Sequence, residues 1–186
     1  MNAKQNPKFK AIMGFGAIID LIIIDQITKW LILEHVLRPA RGPEEPLGLF
    51  DWFASSERLG FVSVEYLPFF NLTMVWNQGI SFGLFQSDTP YFLIGLALLI
   101  SMIFSVWLWR STSWLQVTAL SLLIGGALGN IIDRFHFGAV ADFFDFHIAG
   151  WHYPAFNMAD SFITIGIALL LIDSVFFENK RKAETK

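Results

Sequence analysis

Two aspartates, Asp142 in V-A-D-F-F-D-F and Asp160 in F-N-M-A-D-S, stand on either side of a short connection between two apolar runs. Carboxylates held within a few ångströms of one another cannot both ionise comfortably, so one keeps a proton while the other stays a base. Such a pair can deprotonate a water for attack on an amide and then protonate the departing amine. Other polar residues reach the same level. Asn130 and Arg134 are four apart, on one helical face where the third apolar run ends. An amide and a guanidinium there could orient a reacting carboxylate or stabilise charge on a substrate carbonyl. Arg134 with Asp133 reads equally well as an interfacial ion pair. Asn157 and Asp160 also carry two readings, because their spacing is that of a capping box, in which the carboxylate answers the free N–H groups and positive end of a helix. On spacing alone the cap is the simpler account of Asp160.

The elements that must position these residues are those of a membrane protein. Apolar residues make up 54% of the chain and aromatics 16%, more than a soluble domain of this length needs to close a core. The charges gather at the ends and in a few loops, so the net charge of −3 says little about partners. Cysteine is absent, which excludes disulfides, thiolate metal sites and a cysteine nucleophile. Four stretches, about 11–33, 91–109, 114–132 and 156–177, are long enough to cross a hydrocarbon core of about 30 Å, which takes roughly 20 helical residues. The first follows Lys4, Lys8 and Lys10 as a signal peptide would, but Asp20 and Asp25 interrupt it and no small-x-small cleavage site follows. With alternating spans, Lys4, Lys8, Lys10, Arg110, Lys180, Arg181, Lys182 and Lys186 share one side, which places both termini in the cytoplasm and the two long connections outside. Trp30, Trp107, Trp109 and Trp114 sit near span ends as interfacial anchors. The tail 178–186 reads as solvated and disordered.

The first outward connection, about 34–90, is too long for a bare loop. Phe61-Val-Ser-Val-Glu-Tyr-Leu-Pro and Phe69-Phe-Asn-Leu-Thr-Met-Val-Trp are β-branched and aromatic with partial alternation, which predicts short strands. Arg38-Pro-Ala-Arg-Gly-Pro-Glu-Glu-Pro is turn chemistry that excludes a helix. Leu47-Gly-Leu-Phe-Asp-Trp-Phe is amphipathic enough to lie on the membrane surface. The predicted fold is therefore a mainly α membrane protein, a single domain of four transmembrane helices with a small extracytoplasmic β region between the first and second.

Within the spans, Asp25 and Lys29 are four apart on one face, an i,i+4 ion pair that lowers the cost of both charges. Gly125 and Gly129 have the small-xxx-small spacing that lets helices approach closely. Two rival functions arise from other residues. Asp145, His147 and His152 with Asp142 have the chemistry of a zinc or iron site, though their spacing fits no metalloprotease motif. Asp20, Asp25 and Asp173 could form the acidic relay of a proton-coupled transporter, which leaves the cluster of Asn, Arg and Asp at one edge unexplained.

Five segments in order, Asp25-Gln-x-x-Lys29, Asn77-Gln-Gly79-Ile-Ser-Phe-Gly83, Gly129-Asn130-x-x-Asp133-Arg134, Val140-x-Asp142-Phe and Phe156-Asn157-x-Ala159-Asp160-Ser161, resemble the motifs of lipoprotein signal peptidase, the type II signal peptidase of bacteria. The resemblance implies an aspartic endopeptidase of the bacterial inner membrane that removes signal peptides just before a cysteine carrying a diacylglyceryl group. It implies Asp142 and Asp160 as the catalytic pair near the outer face. Asn77, Gly79, Asn130, Arg134 and Asn157 are implied as surrounding polar residues, with Asp25 and Lys29 shaping the site. Prolipoproteins and membrane lipids are the implied partners, with no nucleic acid, metal or cofactor, and a monomer suffices because one chain supplies every group. Between Lys29 and Asn77 the chain is longer than the family's usual connection, with the excess between about Arg41 and Gly60.

Overall fold

The structure, a computed structural model, describes residues 6–79 and 90–176. Helix α1 (Pro7–Ile32) starts where Asn6 accepts a hydrogen bond from the Lys8 N–H at 3.0 Å and Pro7 occupies the first turn, where its missing N–H costs nothing. Past Ile32 it widens into a π turn (Leu33–Leu37) and continues as α2 (Arg38–Arg41). The expectation that residues 38–41 cannot be helical is thus corrected. The Arg38 N–H reaches the Leu33 carbonyl five residues back, and the wider turn admits Pro39 where an α-helical register would clash. A two-pronged bond from Arg38 to Glu34 at 2.6 and 3.1 Å holds this turn closed.

Helices α4 (Tyr91–Arg110), α5 (Trp114–Phe137) and α6 (Met158–Phe176) complete four helices long and apolar enough to cross a membrane. Between α2 and α4 lies the short α3 (Leu49–Ala54). Helix α5 is the central post, packed against α1, α4 and α6. Its glycines explain how closely. A Cβ on Gly125 or Gly129 would meet Leu21 or Asp25 of α1, whereas one on Gly126 would collide with the Ala159 carbonyl of α6. The glycine spacing read from the sequence describes only the α1 face. α5 also runs five residues past the expected end at 132, through Asp133, Arg134 and His136, and stops at Gly138. There a left-handed backbone (φ +69°) and the Gly138 N–H to Arg134 carbonyl bond close the last turn.

At the end of the bundle formed by the C-terminus of α5 and the N-terminus of α6 sits an antiparallel sheet of order β1-β2-β3-β4. Strands β1 (Ser63–Leu67) and β2 (Phe70–Asn77) fall where the sequence predicts them, but β3 (Val140–Ile148) and β4 (Trp151–His152) come from the α5–α6 connection. Two carboxylates within β3 had disguised it. A core of Leu33, Leu37, Trp52, Met74, Phe137 and Phe143 joins the sheet to the ends of α1 and α5. The predicted tail, 178–186, lies outside the described residues.

Candidate active site

Strand β3 places its side chains on alternate faces. Ala141 and Phe143 enter the core, so Asp142 faces the opposite way, toward the bundle end. Asp145, three residues on, takes the other face. Opposite Asp142, β2 carries an irregularity between Leu72 and Val75, where three steps on β2 match two on β3. Such a bulge bends a strand and re-aims its side chains, and here it brings Asn77 beside Asp142. Backbone bonds from Phe143 and Phe144 to the Phe156 carbonyl, 3.2 and 2.9 Å, fold the lead-in to α6 back onto β3. Asn157 and α6 therefore begin next to Asp142.

Asparagines connect the two carboxyl groups. Asn157 Nδ2 donates to Asp142 Oδ1 at 2.7 Å and to Asn130 Oδ1 at 3.1 Å, and Asn130 Nδ2 donates to Asp160 Oδ1 at 2.8 Å. Asn77 Nδ2 reaches Asp142 Oδ2 at 3.1 Å. The capping box is present as well: Asp160 N–H donates to Asn157 Oδ1 at 3.0 Å and Asn157 N–H to Asp160 Oδ2 at 3.3 Å. The alternatives posed by the Asn157–Asp160 spacing are not exclusive, since a capping carboxylate still has lone pairs to spare. Asp142 is 1% exposed, and burial followed by the nearby Asp160 charge pushes its carboxyl up to about 8. Asp160 is only part-buried and lines a cavity of about 490 Å³ with Tyr153, Phe156, Ser161, Ile163 and Thr164.

A second charged group lies behind the pair. Lys29 Nζ donates to Asp25 at 2.7 Å, Asp133 at 2.8 Å and Asn130 Oδ1 at 3.4 Å, and all three charged side chains are fully buried. Gln26 Nε2 adds bonds to Asp133 at 2.9 Å and Asp25 at 3.1 Å. The cluster also holds backbone: Asp133 Oδ2, which pairs with Lys29, accepts from Ala141 N–H at 3.1 Å, and Asp25 Oδ1, the oxygen turned away from Lys29, accepts from Ala159 N–H at 2.9 Å. Each grips the residue immediately before one of the two aspartates. The Asp25–Lys29 pair expected from spacing is present, but Asp133 belongs with it and not with Arg134. Sequence reasoning offered Asp133 only to Arg134 and gave Gln26 no role. The available signal was that Asp133 lies four residues from Gly129, on the face that meets α1.

Arg134 turns toward the first connection, donating to the Gly79 carbonyl at 3.2 Å and to Asn130 O at 3.4 Å. Gly79 N–H is itself bonded to Asn77 Oδ1 at 3.0 Å, so Arg134 braces the turn that carries Asn77. The remainder of that motif, 80–83, lies outside the described residues. The residues proposed for a metal do not converge: His152 Nδ1 meets Asp145 at 2.7 Å, while His147 bonds Asn71 at 3.2 Å and stacks on His152. Partial burial works against ionisation of Asp145, but bonds from His152 and Thr73 outweigh it and hold its carboxyl below the usual range. The three carboxylates proposed for a relay occupy different surroundings. Asp20 is exposed in a groove between α1 and α5, Asp25 belongs to the buried cluster, and Asp173 accepts from Gln116 at 2.8 Å.

Fold and site define a four-span membrane protein with paired aspartates at one end of its helical bundle. The family model of signal peptidase (SPase) II matches residues 17–176. Lipoprotein signal peptidase of Methylobacterium sp. (strain 4-46) is 36% identical over 175 residues, 92% of this chain and 94% of the relative. That of Acinetobacter baylyi is 39% identical over 183 residues, covering 94% and 89%. A bacterial membrane enzyme solved by the in meso method at 2.3 Å resolution superposes with a TM-score of 0.64 and 30% identity, covering 89% of this chain and 92% of that one. The chain belongs to the signal peptidase II family, aspartic peptidases that act on peptide bonds.

Proposed function

We propose that this enzyme removes the signal peptide from prolipoproteins, cleaving before a diacylglyceryl-modified cysteine by water activation between Asp142 and Asp160. The observation that carries the reading is the chain of asparagine amides linking two carboxyl groups at the mouth of a cavity, with no cation among the described residues bonded directly to either. Burial leaves Asp142 holding the shared proton at neutral pH. Asp160, at the N-terminus of α6 and facing the cavity, takes the part of the base, held in place by Asn130 Nδ2 and Asn157 N–H. Water loses a proton to Asp160 as it attacks the scissile carbonyl. Asp142 donates a hydrogen bond to the developing oxyanion, and the proton taken by Asp160 passes to the departing amine. The pair titrates as a unit, so the protonation steps belong to both groups.

An apolar trough of about 450 Å³ between α4 and α6, floored by Leu123 and Ala127 of α5, shares Ile163 with the cavity at Asp160. It gives an apolar signal-peptide helix a lateral path to the carboxylates. By the distribution of basic residues both termini are cytoplasmic and the site faces outward, and a monomer with surrounding lipid is sufficient. The test is cleavage of a diacylglyceryl-modified preprotein by the purified enzyme, comparing Asp142→Asn, Asp160→Asn and Asp145→Asn. Near-normal turnover in either of the first two, with normal unfolding, overturns the assignment, as does a loss confined to Asp145→Asn.

A further inference from the structure

The long segment between α2 and β1 is firmly attached to the bundle yet presents aromatic side chains outward. Its inner bonds are specific: Trp30 Nε1 to the Leu47 carbonyl at 2.9 Å, Arg58 Nε to the Phe137 carbonyl at 2.6 Å, and Trp76 Nε1 to the Leu59 carbonyl at 2.8 Å. Trp52 is the plug, 2% exposed and in ring contact with His136 at 5.7 Å and Phe137 at 5.5 Å. Both ring nitrogens of His136 are buried without a hydrogen-bond partner among the described residues, so the space beneath α3 is closed and apolar. Nothing more of α3 can be buried inward. On its other face, three residues apart, Phe50 is 87% exposed and Phe53 43% exposed.

The height of α3 follows from α5. About 20 residues from Trp114 span the hydrocarbon core, which puts Asp133 near its edge and residues 135–137 within the next turn. Phe53 stacks on His136 at 6.1 Å, and the residue before it on α5, Phe135, is an exposed (64%) apolar side chain at the level where the span ends. The aromatic face of α3 is thus continuous with the side of the bundle that lipid must cover. Within the segment Arg58 is the one basic residue against Glu44, Glu45, Asp51 and Glu57, so an attachment to lipid would rest on its apolar side chains and not on basic ones.

We propose that residues 42–60 form an interfacial anchor, in which α3 lies flat at the lipid boundary of the leaflet nearest the sheet and inserts Phe50 and Phe53 among its acyl chains. The anchor fixes the height at which the sheet stands over the bilayer. The chain has no cysteine, so nitroxide labels at Phe50→Cys, Phe53→Cys and Glu57→Cys are each unique. The full chain is placed in phosphatidylcholine nanodiscs, and collisions with oxygen and with a water-soluble nickel chelate are measured by electron paramagnetic resonance. Oxygen dominates at positions 50 and 53 and nickel at 57 if the anchor exists. Nickel access at 50 equal to that at 57 overturns the proposal. So does dipolar broadening between labels at 50, which places a second copy of the chain on this face.

Discussion

Two groups of carboxylates share one end of the bundle and are compensated in opposite ways. Asp25 and Asp133 enclose Lys29, whose three ammonium donors meet three acceptors, and the whole cluster is sealed from solvent and lipid. Among the described residues Asp142 and Asp160 receive only neutral amide donors, and one of them opens onto a cavity. A buried charge that must stay fixed is given a counter-ion, since an unpaired one costs several kcal/mol. On the proposed mechanism the second pair passes a proton, and neutral donors serve that better, since they hold the oxygens in place and leave one proton for the two groups to share. The cluster also works for the pair, because its carboxylates hold the backbone at Ala141 and Ala159.

The contrast breaks first at the pair itself. Asp142→Asn and Asp160→Asn are each expected to lower turnover by at least about a hundredfold, the lower bound for a lost acid or base, with unfolding in detergent unchanged or shifted upward. An equal loss of stability would show that the pair is structural. Lys29→Met is the mirror experiment: two buried carboxylates lose their counter-ion, and stability should fall by about 3–5 kcal/mol, read from chemical unfolding. Retained stability there would mean that the cluster has taken up protons and is not held by charge.

The shared proton gives the next test. With Asp142 at about 8, activity should hold through neutrality and decline as pH rises past that value, by about tenfold per unit once the pair has lost its last proton. Because the folded carboxyl sits above its unfolded value, the protonated group stabilises the fold at low pH, and this contribution fades as pH rises from the ordinary carboxylate range toward 8. In Asp142→Asn that dependence should vanish from unfolding curves. Gly126→Ala probes the packing that brings the two groups together. Its Cβ would collide with the Ala159 carbonyl beside Asp160, at a cost of about 1–3 kcal/mol, with activity falling more than it does in Gly16→Ala, where the space is open. The smallest effect is expected at Asp145. Its depressed carboxyl stabilises the fold above the usual carboxylate range and loses that contribution as pH falls below it. Because His152 is half-exposed, Asp145→Asn should cost about 1 kcal/mol or less near neutrality and nothing in strong acid.

The sequence by itself determined the four spans, because about 20 apolar residues in a row have few other places to go. It also determined relations within one element: Asp25 with Lys29, Asn130 with Arg134 on one face, and Asn157 capping the helix that carries Asp160. These follow from helical periodicity, which spacing encodes directly. The ordered motifs added the family, and with it the proposal that Asp142 and Asp160 act as a pair. Only tertiary structure decided what each face meets. Asp133 joined Lys29 because glycines let α5 lie against α1, and Arg134 took a backbone carbonyl from the first connection. Asp142 was separated from Asp145 by the alternation of a strand whose pairing with β2 no local pattern specified. Arg38–Arg41 became helical because Glu34 and a widened turn overrode the proline. Contacts between elements depend on register and close approach, and those are properties of two surfaces together, whereas spacing along the chain describes one.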